Sequence, residues 1–177
     1  MKYFKFLIIA LLASANVQAQ SNKTGDTTAA ANLQLAAQKM GQLFIEKNYT
    51  EYVKYVHPKI LSMLGGQDKM IDALKQSIKQ TEDEGFTFKN VTIGQPSKII
   101  YTTTDLEAVV PQILELKTKN GRLVSTSYLL SVSKDKGKTW YFIDTSGKTL
   151  AQMKSVFPSL SNQLVIPEKT KPLFYND

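Results

Sequence analysis

Spacing of the apolar residues changes period once along the chain. Leu33, Ala37, Met40 and Phe44 recur at steps of three or four, the stripe of an amphipathic helix, with Thr27 or Thr28 available as its N-cap. Asn48 closes this helix near Tyr49. A second, shorter helical stretch runs from Thr50 to about Val56, with Tyr52, Val53 and Val56 on one face. His57-Pro58 then breaks or kinks the chain, because the residue before proline avoids the helical region. Ile60, Leu61 and Leu64 carry the apolar face on to Gly65-Gly66, a stop signal. A third helix starts near Gln67 on a stripe of Ile71, Leu74 and Ile78. Asp68 early, and Lys75 and Lys79 late, suit the helix dipole.

After Gly85 the period becomes that of a strand. Phe86 and Phe88 fall out of phase with Val91 and Ile93, which predicts a bulge near Lys89-Asn90. Ile99-Ile100-Tyr101 is a short apolar run. Two long strands, Leu106–Lys117 and Arg122–Ser133, flank Thr118-Lys119-Asn120-Gly121, and Asn-Gly between alternating runs predicts a hairpin. Pro111 inside the first of them predicts an edge position or a bulge. A further hairpin over Ser133–Lys138 leads into Thr139-Trp140-Tyr141-Phe142-Ile143-Asp144. A short helix over Thr149–Val156 ends at Phe157-Pro158, and residues 167–177 read as an extended surface tail. Helices first and antiparallel strands afterwards make the class α+β, with one domain over residues 28–166.

The N-terminus changes the compartment. Met1-Lys2-Tyr3-Phe4-Lys5 is basic, Phe6–Ala15 is apolar, and Val17 and Ala19 are small residues at −3 and −1 of a cut after Ala19. That is the pattern of a cleavable signal peptide over residues 1–19, too short to span a bilayer, followed by a polar lead-in over residues 20–27. The expected product is an exported protein, periplasmic or secreted. With no cysteine in the chain there is no lipid attachment site, no disulfide and no thiolate chemistry. Lys2 and Lys5 leave with the leader, which takes the formal charge from +7 to +5. The basic residues are scattered, with clusters at two hairpin tips: Lys117, Lys119 and Arg122, and Lys134, Lys136 and Lys138. Consecutive turns of a meander lie at opposite ends, so no single nucleic-acid groove is expected.

Few motifs carry chemistry. Ser133, Asp135, Gly137, Thr139 and Trp140 complete an Asp-box pattern, S-x-D-x-G-x-T-W, of the kind repeated once per blade in sialidase-type propellers. A single copy reads as a structural hairpin, since a repeated four-stranded blade does not fit in this length. His57 is the only histidine, so neither a metal site nor an assembled Ser–His–Asp set is expected. Phosphate-binding glycine loops are missing from the sequence, and no cofactor is expected.

The three-helix start, the helix pair ending at Gly65-Gly66-Gln67-Asp68-Lys69-Met70, the Asn120-Gly121 hairpin and the aromatic strand Trp140–Asp144 together resemble one family. It is the cone-shaped α+β superfamily of nuclear transport factor 2, ketosteroid isomerase and SnoaL-like proteins. The resemblance covers roughly residues 28–145, and the C-terminal helix and tail go beyond it. Family members place a short strand where Ile60–Leu64 looks helical here. The resemblance implies a strongly curved sheet wrapped around the helices, with a cone mouth for a small apolar ligand. Enzymes of the family set an Asp or His base and a Tyr donor inside it. Tyr52, His57, Tyr101, Tyr128, Trp140 and Asp144 form the candidate pocket, with Tyr55, Glu107 and Glu115 as further conceivable cone residues. Spacing selects no acid–base pair among them.

The expected role is therefore binding of a small apolar ligand or a protein partner in the cone, without catalysis. The alternatives are an isomerase, dehydratase or cyclase using a buried carboxylate and a Tyr, and a weak binder of anionic envelope polymer. Nucleic acid and a membrane anchor are not expected as partners; a homodimer through the sheet is.

Overall fold

The computed structural model describes the backbone of residues 19–176 and the side chains from Thr27 onward. The leader expected over residues 1–19 lies, except for Ala19, outside the described residues. Five α-helices and a six-stranded antiparallel sheet give the α+β class expected. The helices are α1 (Ala19–Ile45), α2 (Tyr49–Tyr52), α3 (Pro58–Met63), α4 (Gln67–Asp83) and α5 (Leu150–Val156). A turn of 3-10 helix, Val53–Tyr55, follows α2 directly. The strands are β1 (Thr87–Ile93), β2 (Ile100–Tyr101), β3 (Leu106–Thr118), β4 (Gly121–Ser133), β5 (Tyr141–Asp144) and β6 (Leu173–Asn176).

α1 begins at Ala19, upstream of the start expected at Thr28, so the 20–27 lead-in is helical. Extending an anchored helix needs no new nucleus, which offsets the poor helix formers there. Pro58 occupies the first turn of α3, where its missing N–H is not needed, and the His57 side chain caps that helix. The Ile60–Leu64 stretch is thus helical, unlike the short strand of the resembled family.

The sheet order is β1-β3-β4-β5, and both of its long inner strands are shared. On one side of β3, β1 pairs with Gln112–Lys117 and β2 pairs with Leu106 and Glu107. On the far side of β4, β6 pairs with Gly121–Val124 and β5 with Leu129–Val132. The tail expected to lie extended on the surface therefore supplies a strand. The register between β1 and β3 slips between Phe88 and Asn90. This bulge puts Phe88, Val91 and Ile93 on one face, opposite Leu116, Leu114 and Gln112, as their spacing demanded. Pro111 lies in the central strand, yet at a local gap: β1 ends opposite Gln112, and Gly94 N–H donates to the Pro111 carbonyl at 2.9 Å. Its missing donor faces that interruption.

Alternation along the strands builds two cores, one on each face. On one face Leu106, Ala108, Val110, Leu129, Trp140 and Phe142 pack under α1 through Ala29, Leu33, Ala37 and Met40. On the other, Val109, Leu130, Val132 and Ile143 lie under α5 and the turns after it, through Met153, Phe157, Leu160 and Leu164. Each buried Val, Leu, Ile, Phe or Met among them contributes about 1.5–3 kcal/mol, and the alanines less. The two faces are named below after α1 and α5.

Candidate functional site

Beyond the tightly packed half of the α1 face the sheet continues as three rungs. They read Ile93, Gln112, Ser127, then Val91, Leu114, Ser125, then Phe88, Leu116, Leu123. α1 crosses directly over β1 (an added Cβ on Gly41 would sit 2.8 Å from Val91 Cγ1), so the helix leans to that side of the sheet. The β3 and β4 side chains Gln112, Leu114, Leu123, Ser125 and Ser127 are left half-buried. They form a half-buried patch of apolar and polar groups on the α1 face. Ser127 Oγ is buried there with no hydrogen-bond partner.

Tyr52 packs against the core under α1. Its ring lies 5.9 Å from that of Phe44, which packs edge-on against Phe88 at 5.0 Å. Burial pushes the Tyr52 phenol well above its ordinary value, and the negative charge of Asp144 raises it further. Tyr52 and Asp144, two of the six candidate residues, interact through that charge, with no hydrogen bond between them. Asp144 faces the same side as Leu129, is exposed, and accepts the Ser146 N–H at 2.7 Å.

Of the other four candidates, Trp140 shares the core cluster that Tyr52 packs against, and Tyr101, Tyr128 and His57 are placed elsewhere. Trp140 is buried in the core under α1, its indole N–H without an acceptor. Tyr101 is exposed on β2. Tyr128 faces the opposite side, across from Pro111, and packs on the α5 cluster. His57 also belongs to the α5 face, with its ring 6.4 Å from Tyr141 and 5.1 Å from Phe157, edge-on to both. Its Nδ1 accepts the Lys59 N–H at 3.2 Å as the cap of α3. The neutral ring therefore carries its proton on Nε2, and a free base nitrogen is not presented. Burial lowers the His57 pKa, Lys134 and Lys59 lower it further, and Asp105 opposes them.

Glu107, outside the six, is the more unusual group. It sits in the apolar run Leu106–Val110, faces α5, and is 1% exposed. Its Oε2 accepts the Ser161 N–H at 2.9 Å. Burial raises its pKa and nearby Asp105 adds to this, while the Ser161 bond and Lys154 pull it down. A lone acid among four apolar strand residues, Leu106 and Ala108–Val110, was the sequence signal for it. Ser127 had a weaker one, the polar run Ser125-Thr126-Ser127 in the middle of β4.

The Asp-box segment is a closed turn. Asp135 accepts from the backbone N–H groups of Lys138 and Thr139 and from the hydroxyls of Thr139 and Ser133. These donors hold its carboxyl down at about 2. The tip docks on α1, where the Asn32 side chain donates to the Gly137 carbonyl at 2.8 Å. The two basic tips are the two ends of β4, about 40 Å apart at strand rise. Among the described residues, no group of three His, Cys, Asp or Glu side chains could hold a metal, and no helix is long and apolar enough to cross a membrane. Compared with protein-family models, with characterised proteins and with solved structures, the chain gives no match.

Proposed function

We propose that this chain is an exported binding domain that takes a small, largely apolar molecule on the half-buried patch of the α1 face, without catalysis. The observation that carries this reading is the buried, unpartnered Ser127 Oγ, set among the half-buried Gln112, Leu114, Leu123 and Ser125. An apolar cleft with one or two convergent polar groups is the usual form of a small-molecule site. A ligand hydroxyl or carbonyl meeting Ser127 would remove the cost, about 1–3 kcal/mol, of leaving that group unsatisfied. The cone suggested by the family resemblance places a ligand on this same face. A binding role is favoured over proton transfer because Asp144 is exposed and its Oδ1 already serves a turn. His57, the only histidine, packs on the other face. Export rests on the leader pattern of residues 1–19.

The test is a thermal-shift screen of the chain from Gln20 onward against a library of apolar metabolites carrying a single hydroxyl or carbonyl. Expected are compounds that raise the melting temperature of the wild type and have a weaker effect on Ser127→Val. No shift with any compound, or equal shifts in the variant, overturns the proposal. Export is checked separately, by N-terminal sequencing of the protein made with its leader in a Gram-negative host. A mature start at Gln20 supports it, and an intact Met1 in the cytoplasmic fraction overturns it.

A further inference from the structure

A cavity of about 280 Å³ opens where α1 crosses the edge strand β1. Gln38, Gly41, Gln42, Ile45 and Glu46 line it from the helix, at spacings of three and four that share one helical face. Asn90, Val91 and Ile93 line it from the strand. None of the β3 and β4 side chains around Ser127 lines it, so it is separate from the patch described above.

Floor and mouth of this cavity differ in chemistry. Gly41 is buried and Ile45, Val91 and Ile93 are half-buried, whereas Gln38, Gln42, Glu46 and Asn90 are exposed. The polar groups of the mouth are rich in free acceptors. Gln42 Nε2 donates to Glu46 Oε1 at 2.7 Å, and Asn90 Nδ2 donates to Thr92 Oγ1 at 3.2 Å. Two of the three amide nitrogens are thereby engaged. The side-chain oxygens of Gln38, Gln42 and Asn90, and Oε2 of Glu46, meet no donor among the described residues. Gln34, one helical turn before Gln38 on the same row, adds a buried side-chain oxygen that no donor meets. Glu46 is the only charged residue among the described lining residues, so in a chain of formal charge +7 this mouth is negative.

We infer that this cavity binds a small primary ammonium compound. Its short apolar body lies on Ile45, Val91 and Ile93, and its ammonium head meets the oxygens of Glu46, Gln42 and Asn90. An ammonium brings three donors, no acceptor and a positive charge. It matches a surplus of acceptors that an alcohol meets with a single donor and a carboxylate with none. The volume, just below the roughly 300–1,000 Å³ of pockets for drug-sized ligands, limits the body to a short chain or one ring. Because the ion pair is exposed, binding is weak and falls with added salt. The site does not depend on the ligand proposed for the patch around Ser127.

Titration of the chain from Gln20 onward with hexylammonium chloride, hexan-1-ol and sodium hexanoate, followed by proton–nitrogen correlation NMR, tests this. Expected with hexylammonium are saturable shifts at the side-chain amides of Gln38, Gln42 and Asn90 and at the backbone amides of Gly41, Ile45 and Val91. Hexan-1-ol should bind at least about three-fold more weakly, and hexanoate should leave these signals in place. Glu46→Gln should weaken hexylammonium binding about three- to five-fold, the scale of an exposed ion pair, with an unchanged melting temperature. Asp72→Asn, which removes an equal charge from the exposed side of α4, should leave the affinity as it is, and so should Ser127→Val. No saturable shift, or equal affinity for hexan-1-ol, overturns the inference. So does a Glu46→Gln variant that binds like the wild type, or a loss of the same size in Asp72→Asn or Ser127→Val.

Discussion

The Ser161 N–H, in the turn after α5, donates to Oε2 of Glu107 in the central strand at 2.9 Å, so one buried carboxyl pins the C-terminal segment to the sheet. Its folded-state pKa is raised above 4.5, chiefly by burial. A raised pKa contributes stability fully at pH below the unfolded value, and this is lost as pH rises through the folded value. Glu107→Gln keeps an acceptor for Ser161 and removes the charge. It should match or exceed the wild type at pH 7, and the difference should close towards pH 4. Glu107→Leu orphans the Ser161 donor and should cost about 1–3 kcal/mol. Urea unfolding at the two pH values checks both; a Gln variant clearly weaker at pH 7 would show that the charged hydrogen bond outweighs desolvation.

His57 titrates in the opposite sense. Its pKa is lowered below 6.5, so its contribution is complete above that value and is lost as pH falls through the folded pKa. The physical event is a competition: a proton on Nδ1 displaces the Lys59 N–H that caps α3. As the only histidine in the chain it gives a single clean NMR titration, with an expected midpoint below 6.5. His57→Asn, which retains a capping acceptor, should flatten the stability profile between pH 5 and 7. A midpoint at or above 6.5 contradicts this.

Much of the fold is legible in local spacing, and the site is not. The bulge at Lys89 follows from Phe88 and Val91 having to share a face, and Asn120-Gly121 marks the hairpin, although the two turn residues are Lys119 and Asn120, one position earlier than that pair. The hydrophobic period also finds α1, but its stripe does not say which part of the sheet the helix covers. That placement over β1 depends on Gly41 meeting Val91 across some fifty residues of chain. Glu107 was visible as an acid in an apolar strand, yet its partner Ser161 is a backbone group that no side-chain pattern announces. β6 was unreadable because Leu173-Phe174-Tyr175 follows Pro167 and Pro172, and tertiary pairing overrode that local signal.

Asp135 should matter for stability rather than binding. With four donors on its carboxylate, Asp135→Ala should cost roughly 1–3 kcal/mol through the unsatisfied turn. Because its pKa is depressed to about 2, the contribution is present above the ordinary 3.8 and is lost as pH falls towards 2. Thermal melts between pH 2 and 5 should converge for wild type and variant at the acid end.

Gly137 holds a φ of +82° with Ala29 of α1 against it. Gly137→Ala should cost about 1–3 kcal/mol from backbone strain together with the clash. Adding Ala29→Gly relieves the side-chain clash and leaves the strain, so the double variant should recover part of the loss and not all of it. Additive losses in chemical denaturation would show that the tip does not rest on α1.

The division of cover between the ends of the chain has a consequence in time. Residues 29–40 shield one face of the sheet, and residues 153–164 shield the other. A chain emerging from its N-terminus can lay down α1 and then β1 to β5 while Val109, Leu130, Val132 and Ile143 still face water. Until residues 153–164 have emerged, the half-clad sheet exposes the apolar α5 face, and that is its aggregation-prone side during synthesis.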